Sequence, residues 1–170
     1  MPGYELIDKQ ELALIKDVFK NGSIFYRYGF NKLRNNKFYS KEFEKNFSNY
    51  IGNKYSLAVS SGTAALRVAL ASIGIKNKDE VITQSFTFVA TVEAIIESRA
   101  KPVCCDIDGT LNLDPEELEK LINSKTKAVI VVHMLGTPAK IERIKEICDK
   151  YKVFLIEDTA WGCGGKVKNK

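Results

Sequence analysis

The chain has 170 residues, 45% of them hydrophobic and 28% charged, with a formal net charge of +5. That length supports one sizeable core, because a chain of this size buries about 70% of its unfolded surface. Basic and acidic residues are interspersed, no apolar run approaches the ~20 residues of a membrane span, and the N-terminus has no signal-peptide pattern, so the composition argues against a nucleic-acid or membrane partner and for a cytoplasmic protein.

The first element follows Asp8, a helix cap with Glu11 three residues on, as in a capping box. Leu12, Ile15, Val18 and Phe19 then recur on one helical face until Asn21-Gly22 stops it. Residues 22–39 are irregular, basic and aromatic, with Phe25, Tyr26, Tyr28, Phe30, Phe38 and Tyr39. A loop this aromatic is expected to be packed or to touch a partner, since a solvated linker is more polar. A second helix is predicted from about Ser40 to Ile51, with Phe43, Phe47 and Ile51 inward and Gly52 as terminator. Residues 1–54 thus form a helical segment with an aromatic loop.

From residue 55 to 170 strands and helices alternate. The pattern predicts strands over 55–59, 80–83, 102–105, 128–133 and 153–157, and helices over 63–72, 88–97, 115–123 and 141–151. Asp114-Pro115 is a start signal, a cap followed by proline at the first helical position. The runs Ala128 to Val132 and Val153 to Ile156 are continuously apolar, as in strands covered on both faces. The expected fold is α/β: a three-layer α/β/α domain on a mainly parallel sheet. Cys104, Cys105, Cys148 and Cys163 form no C-x-x-C pair and His133 is the sole histidine, so no metal site is expected and the thiols read as buried and reduced.

Three strand ends carry chemistry. At Ser60-Ser61-Gly62-Thr63 a turn rich in hydroxyls opens a helix, whose free N–H groups and dipole favour a phosphate. After the strand at 80–83, Phe86-Thr87-Phe88 offers an aromatic platform. Glu157-Asp158 places an acidic pair at the end of a very apolar strand. A phosphate cup, a flat aromatic and a carboxylate together suit a planar cationic heteroaromatic phosphate such as pyridoxal phosphate. The G-x-G-x-x-G and G-K-[ST] signatures of dinucleotide and P-loop sites are absent.

With those residues in view the chain resembles a family. Ser60 to Leu66, Asp79 to Thr83, Phe86 to Thr91, Val132 to Gly136 and Glu157 to Gly162 are similar, in order and spacing, to the DegT/StrS-type nucleotide-sugar aminotransferases, fold type I enzymes dependent on pyridoxal phosphate. The likeness runs from about Tyr4 to Lys170. It implies that Thr63 and the Ala64 backbone hold the cofactor phosphate, that Phe88 stacks on the pyridine ring, and that Asp158 pairs with the ring nitrogen. Trp161 stands where the family more often has His or Gln, near the cofactor's phenolic oxygen; an indole donates a hydrogen bond but accepts none. Gln84 stands where proline is common, and His133 reads equally as a site-shaping residue or a packed histidine.

The resemblance also implies that the catalytic Schiff-base lysine lies in a motif beyond Gly162 that this chain does not reach; Lys166, Lys168 and Lys170 precede that motif and none is assigned to the role. The chain then reads as the incomplete large domain of a longer enzyme, without its C-terminal domain. The implied activity is transfer of an amino group from an amino acid, glutamate in this family, to a keto nucleotide-sugar, in amino-sugar and cell-surface polysaccharide biosynthesis, by a homodimer. Two alternatives stay open: a related pyridoxal phosphate-dependent sugar dehydratase with histidine in place of the lysine, and a non-catalytic truncated product or binding module with an exposed sheet edge.

Overall fold

The computed structural model describes residues 4–167, so Lys168 and Lys170 lie outside the described residues. The chain divides after Ala58 into two compact units, each treated by itself.

In the first unit, Asp8 caps α1 (Lys9–Lys20) by accepting the Gln10 N–H at 2.7 Å, and Glu11 reaches back to the Asp8 N–H at 2.7 Å. Helix α2 (Tyr39–Ile51) ends at Gly52, whose φ of 79° is the left-handed conformation glycine adopts without strain. Polar contacts organise the aromatic loop between them. Arg34 is buried, donates to the Tyr26 carbonyl at 2.7 Å and lies 4.4 Å from the Phe38 ring centre. Asp17 accepts from Lys37 and from the Tyr39 hydroxyl.

The expected inward packing of this unit is corrected in part. The apolar face of α1 forms, yet Leu12, Ile15 and Phe19 stay open, as do Phe43 and Ile51 on α2. Two helices and a loop supply no further layer to cover those faces.

The strand expected over 55–59 does not form. The segment has no regular secondary structure, and side chains bind the Ala58 backbone in place of a ladder: its N–H donates to Glu44 Oε1 at 2.7 Å and its carbonyl accepts from Arg27 at 3.3 Å. Tyr55 and Leu57 face solvent, so the β-forming residues have no sheet to pack on. The Ala58 N–H, then Arg27, holds the Glu44 carboxyl below its ordinary pKa. Glu44 therefore favours the fold fully above the usual carboxylate range, and that contribution is lost as pH falls through the lowered value.

The second unit is a four-stranded parallel sheet in the order β2-β1-β3-β4, built from β1 (Glu80–Gln84), β2 (Lys101–Cys105), β3 (Thr126–Val132) and β4 (Phe154–Asp158). Two helices cover each face. Val81, Ala128, Ile130 and Ile156 pack with α3 (Gly62–Ser72) and α4 (Val89–Glu97) through Leu66, Leu70, Ala94 and Ile95. Ile82, Val129, Val131 and Leu155 pack with α5 (Pro115–Leu121) and α6 (Ile141–Tyr151) through Leu118, Ile144 and Ile147. Burial on both faces explains why β3 reads as an unbroken apolar run. The arrangement is the three-layer α/β/α fold the alternation implied, with the acidic pair at the end of β4.

Candidate active site

Strands of a parallel sheet end on one edge, the usual place for a ligand in such folds. Gln84 ends β1, so Phe88, which starts α4, lies at that edge; Asp158 ends β4 at the same edge. Helix α3 reaches it too. Its last turn joins the start of β1 through residues 73–79, so the helix runs back along the sheet. Eleven helical residues span about 16 Å, and the five of β1 span about 16 Å. The N-terminus of α3 therefore comes level with the carboxyl edge.

Alternation then sorts the side chains by face. Along β4, Leu155 packs with the α5/α6 cluster and Ile156 with the α3/α4 cluster. With a period of two, Glu157 joins the α5/α6 face and Asp158 the α3/α4 face. The acidic pair is split by the sheet. Asp158 shares face and edge with α3 and α4, and hence with Ser61 to Ala64 and Phe88. It is half-buried; Oδ1 accepts the Ala160 N–H at 3.0 Å, while Oδ2 has no partner among the described residues. Thr83 points to the same face as Val81, and its buried hydroxyl is unpartnered among the described residues.

At the start of α3 the donor set differs from the expected one. Ser61 caps the helix and its Oγ accepts the Ala64 N–H at 3.1 Å, so that N–H is already engaged. The donors left are the N–H groups of Gly62 and Thr63 and the hydroxyls of Ser61 and Thr63, because a serine that accepts one bond still has its proton to give. Four donors at a helix N-terminus suit a phosphate. Phe88 is 67% exposed and Trp161, in the turn after β4, is 55% exposed. The structure brings Thr63, Ala64, Phe88 and Asp158 to one edge and face without enclosing them.

Glu157 and His133 belong to the other face. His133 is buried: its Nδ1 accepts the Ala139 N–H at 3.1 Å, which leaves the proton of the neutral ring on Nε2, 3.1 Å from Glu157 Oε2. Its own N–H donates to the Asp158 carbonyl at 3.1 Å. His133 and Glu157 line a cavity of about 300 Å³ with Thr159, Gly162 and Lys166. Asn112, which the sequence reading passed over, is wholly buried; it accepts the Met134 N–H at 2.9 Å and donates to the Thr137 carbonyl at 3.1 Å, fixing the turn after His133. Gly136, at φ 80°, lets that turn approach the Trp161 turn: a Cβ there would sit 3.2 Å from the Trp161 carbonyl.

Only two cysteines are buried, which corrects the expectation for all four. Cys104 sits on the edge strand β2, on the face opposite its buried neighbour Cys105, and Cys163 lies in the exposed turn after β4. Burial pushes the Cys105 thiol up to about 12 and that of Cys148 up to about 11. The folded chain is expected to give two rapid equivalents in a thiol titration with a disulfide reagent at pH 8, and the other two on unfolding; four rapid equivalents would contradict this placement.

Residues 8–170 match the model of the DegT/DnrJ/EryC1/StrS aminotransferase family. The chain belongs to that family. A relative, the GDP-perosamine synthase of Vibrio cholerae, is 39% identical over 133 residues, 78% of this chain and 36% of that one. The structure of 3-amino-5-hydroxybenzoic acid synthase superposes with a TM-score of 0.87 at 30% identity, covering 96% of this chain and 41% of that one. That of GDP-4-keto-6-deoxymannose-3-dehydratase, solved with a trapped PLP–glutamate geminal diamine, superposes with a TM-score of 0.83 at 27% identity, covering 96% and 42%. The chain spans about a third of the length of the curated relatives it matches. Among the described residues no helix is long and apolar enough to cross a membrane.

Proposed function

We propose that this chain is the N-terminal, cofactor-binding part of a pyridoxal phosphate-dependent aminotransferase that moves an amino group from glutamate to a keto nucleotide-sugar, in amino-sugar and cell-surface polysaccharide biosynthesis. The observation that carries the reading is the placement of Asp158 on the same face and edge as the donors at the start of α3. When bound, the cofactor supplies an electron sink for cleavage at the amino acid's α-carbon.

The chain's own residues have distinct tasks in this reading. Gly62, Thr63 and the Ser61 hydroxyl hold the phosphate, with Ala64 kept in the helix by Ser61. Phe88, exposed at the edge, stacks on the ring. Asp158 keeps the ring-nitrogen proton in place, since an adjacent carboxylate favours the cationic form. Trp161 can donate its indole N–H to the phenolic oxygen but cannot accept from it. The lysine that moves the substrate proton is assigned to sequence beyond this chain.

The test uses protein expressed from the complete coding sequence, ¹⁵N-glutamate, and 3-keto and 4-keto nucleotide-sugars. Equal amounts of 2-oxoglutarate and ¹⁵N-labelled sugar are expected. A dehydratase is the second reading, favoured by the likeness to the 3-dehydratase structure. It predicts a sugar that has lost an oxygen and gained no ¹⁵N, and that result would replace the first reading.

The exposed Phe25, Tyr26, Tyr28 and Phe30 support a homodimer with this loop at its interface. Sedimentation of the complete protein at micromolar concentration should show a dimer; a monomer would contradict it.

A further inference from the structure

We propose that Gln84 is a positioning residue whose buried amide fixes the turn carrying Phe88, and so sets where that ring meets the cofactor. The inference rests on the function proposed above. Gln84 is the last residue of β1 and is wholly buried. Its side chain joins three otherwise separate pieces of the carboxyl edge. Nε2 donates to the Phe86 carbonyl at 3.1 Å and to the Leu111 carbonyl at 3.4 Å, and Oε1 accepts the Val132 N–H at 3.1 Å.

The need for that side chain follows from the ladder. The last β1–β3 pair is Thr83 with Ile130, after which β1 turns away toward α4 while β3 runs on to Val132. The Val132 N–H is buried with no β1 carbonyl opposite it, and Gln84 Oε1 takes that place. The same amide holds the departing turn by the Phe86 carbonyl, while the Ser85 N–H holds it to the Cys105 carbonyl at 2.8 Å. Neighbouring Asn112 extends the brace to Met134.

Phe88 depends on this brace more than an ordinary platform residue does. Its ring is mostly exposed, so packing does not fix it, and it caps α4 without a side-chain hydrogen bond. The ring's position is inherited from the backbone of residues 85–88, and Gln84 is the side chain that pins that backbone to β3. A methionine at this position would fill the volume but leave the Val132 N–H and the Phe86 carbonyl unpaired. A displacement of about 1 Å is enough to cost a binding site much of its precision.

The experiment titrates pyridoxal phosphate into the protein expressed from its complete coding sequence, as wild type, Gln84→Met and Ile147→Val, the last a core control on α6. Cofactor Kd, the visible circular dichroism of bound cofactor and the melting temperature are read together. Gln84→Met is expected to bind at least about tenfold more weakly and to lose most of the induced dichroism, while Ile147→Val loses melting temperature alone. Wild-type affinity and dichroism in Gln84→Met would overturn the inference and leave the proposed function standing. A wild type that binds no pyridoxal phosphate would overturn the function itself. Should Gln84→Met fail to fold, Gln84→Asn, an amide one methylene too short to span the gap, is held to the same outcomes.

Discussion

Exchanging Asp158 for asparagine in the complete protein is expected to lower kcat by about 100- to 1,000-fold, the range seen when one preorganised charge or donor is removed from a reaction centre. The neighbouring exchange, Glu157→Gln, is expected to cost less than about tenfold on the same scale. Both variants are isosteric, and both remove one negative charge from adjacent positions. What separates them is the sheet. Asp158 follows Ile156 onto the face of α3 and α4, where the proposed phosphate donors lie, and Glu157 follows Leu155 onto the other face. Glutamine at 157 still offers a carbonyl oxygen to the Nε2 proton of His133, so the local structure is retained. Steady-state kinetics at saturating substrate decides between the two. Equal losses would show that the faces do not divide the labour, and a larger loss for Glu157→Gln would move the ring-nitrogen partner to the wrong side.

The isolated 170-residue chain is expected to show no glutamate-dependent turnover and weak cofactor binding at most. Transamination needs an amine fixed beside the cofactor ring, which Asp158 holds in the proposed reading. Lys166, the lysine nearest the end of the described residues, lines the cavity with Glu157 and His133 on the α5/α6 face, away from Asp158. A free ammonium without fixed geometry forgoes the advantage of an oriented intramolecular group, roughly 7–11 kcal/mol at best. Borohydride reduction of a pyridoxal phosphate titration, followed by peptide mapping, reads the result directly. A stoichiometric adduct on Lys166, Lys168 or Lys170 together with turnover would make that residue the catalytic lysine.

What was legible in the sequence was local. Asp114-Pro115 announces α5, and in the structure the Asp114 carboxylate accepts the Glu116 N–H at 2.9 Å with Pro115 in the first turn. The apolar run of β3 states its double coverage directly, and Ser61 caps α3 as its position implies, whereas the run of β4 overstates it, because β4 is the edge strand and Phe154 is exposed. Readings failed where the outcome depended on a distant partner. Residues 55–59 have β-forming side chains, but a strand needs a neighbour, and Glu44 and Arg27 bind the backbone instead. Gln84 was visible only as an odd residue at the end of a strand; its acceptor role for Val132 spans 48 positions and leaves no local trace. The division of Glu157 from Asp158 was accessible in principle, because the period of two along β4 already assigns them to opposite faces.

The central claim is that Asp158, Phe88 and the start of α3 flank one pyridoxal phosphate site. A crystal structure of the complete protein with the cofactor bound tests it most directly. The account predicts an Asp158 carboxylate oxygen about 2.7–3.0 Å from the ring nitrogen, the Phe88 ring over the pyridine, and the phosphate on the Gly62 and Thr63 N–H groups. A cofactor whose ring nitrogen faces Glu157, or whose phosphate sits away from the α3 N-terminus, would contradict it.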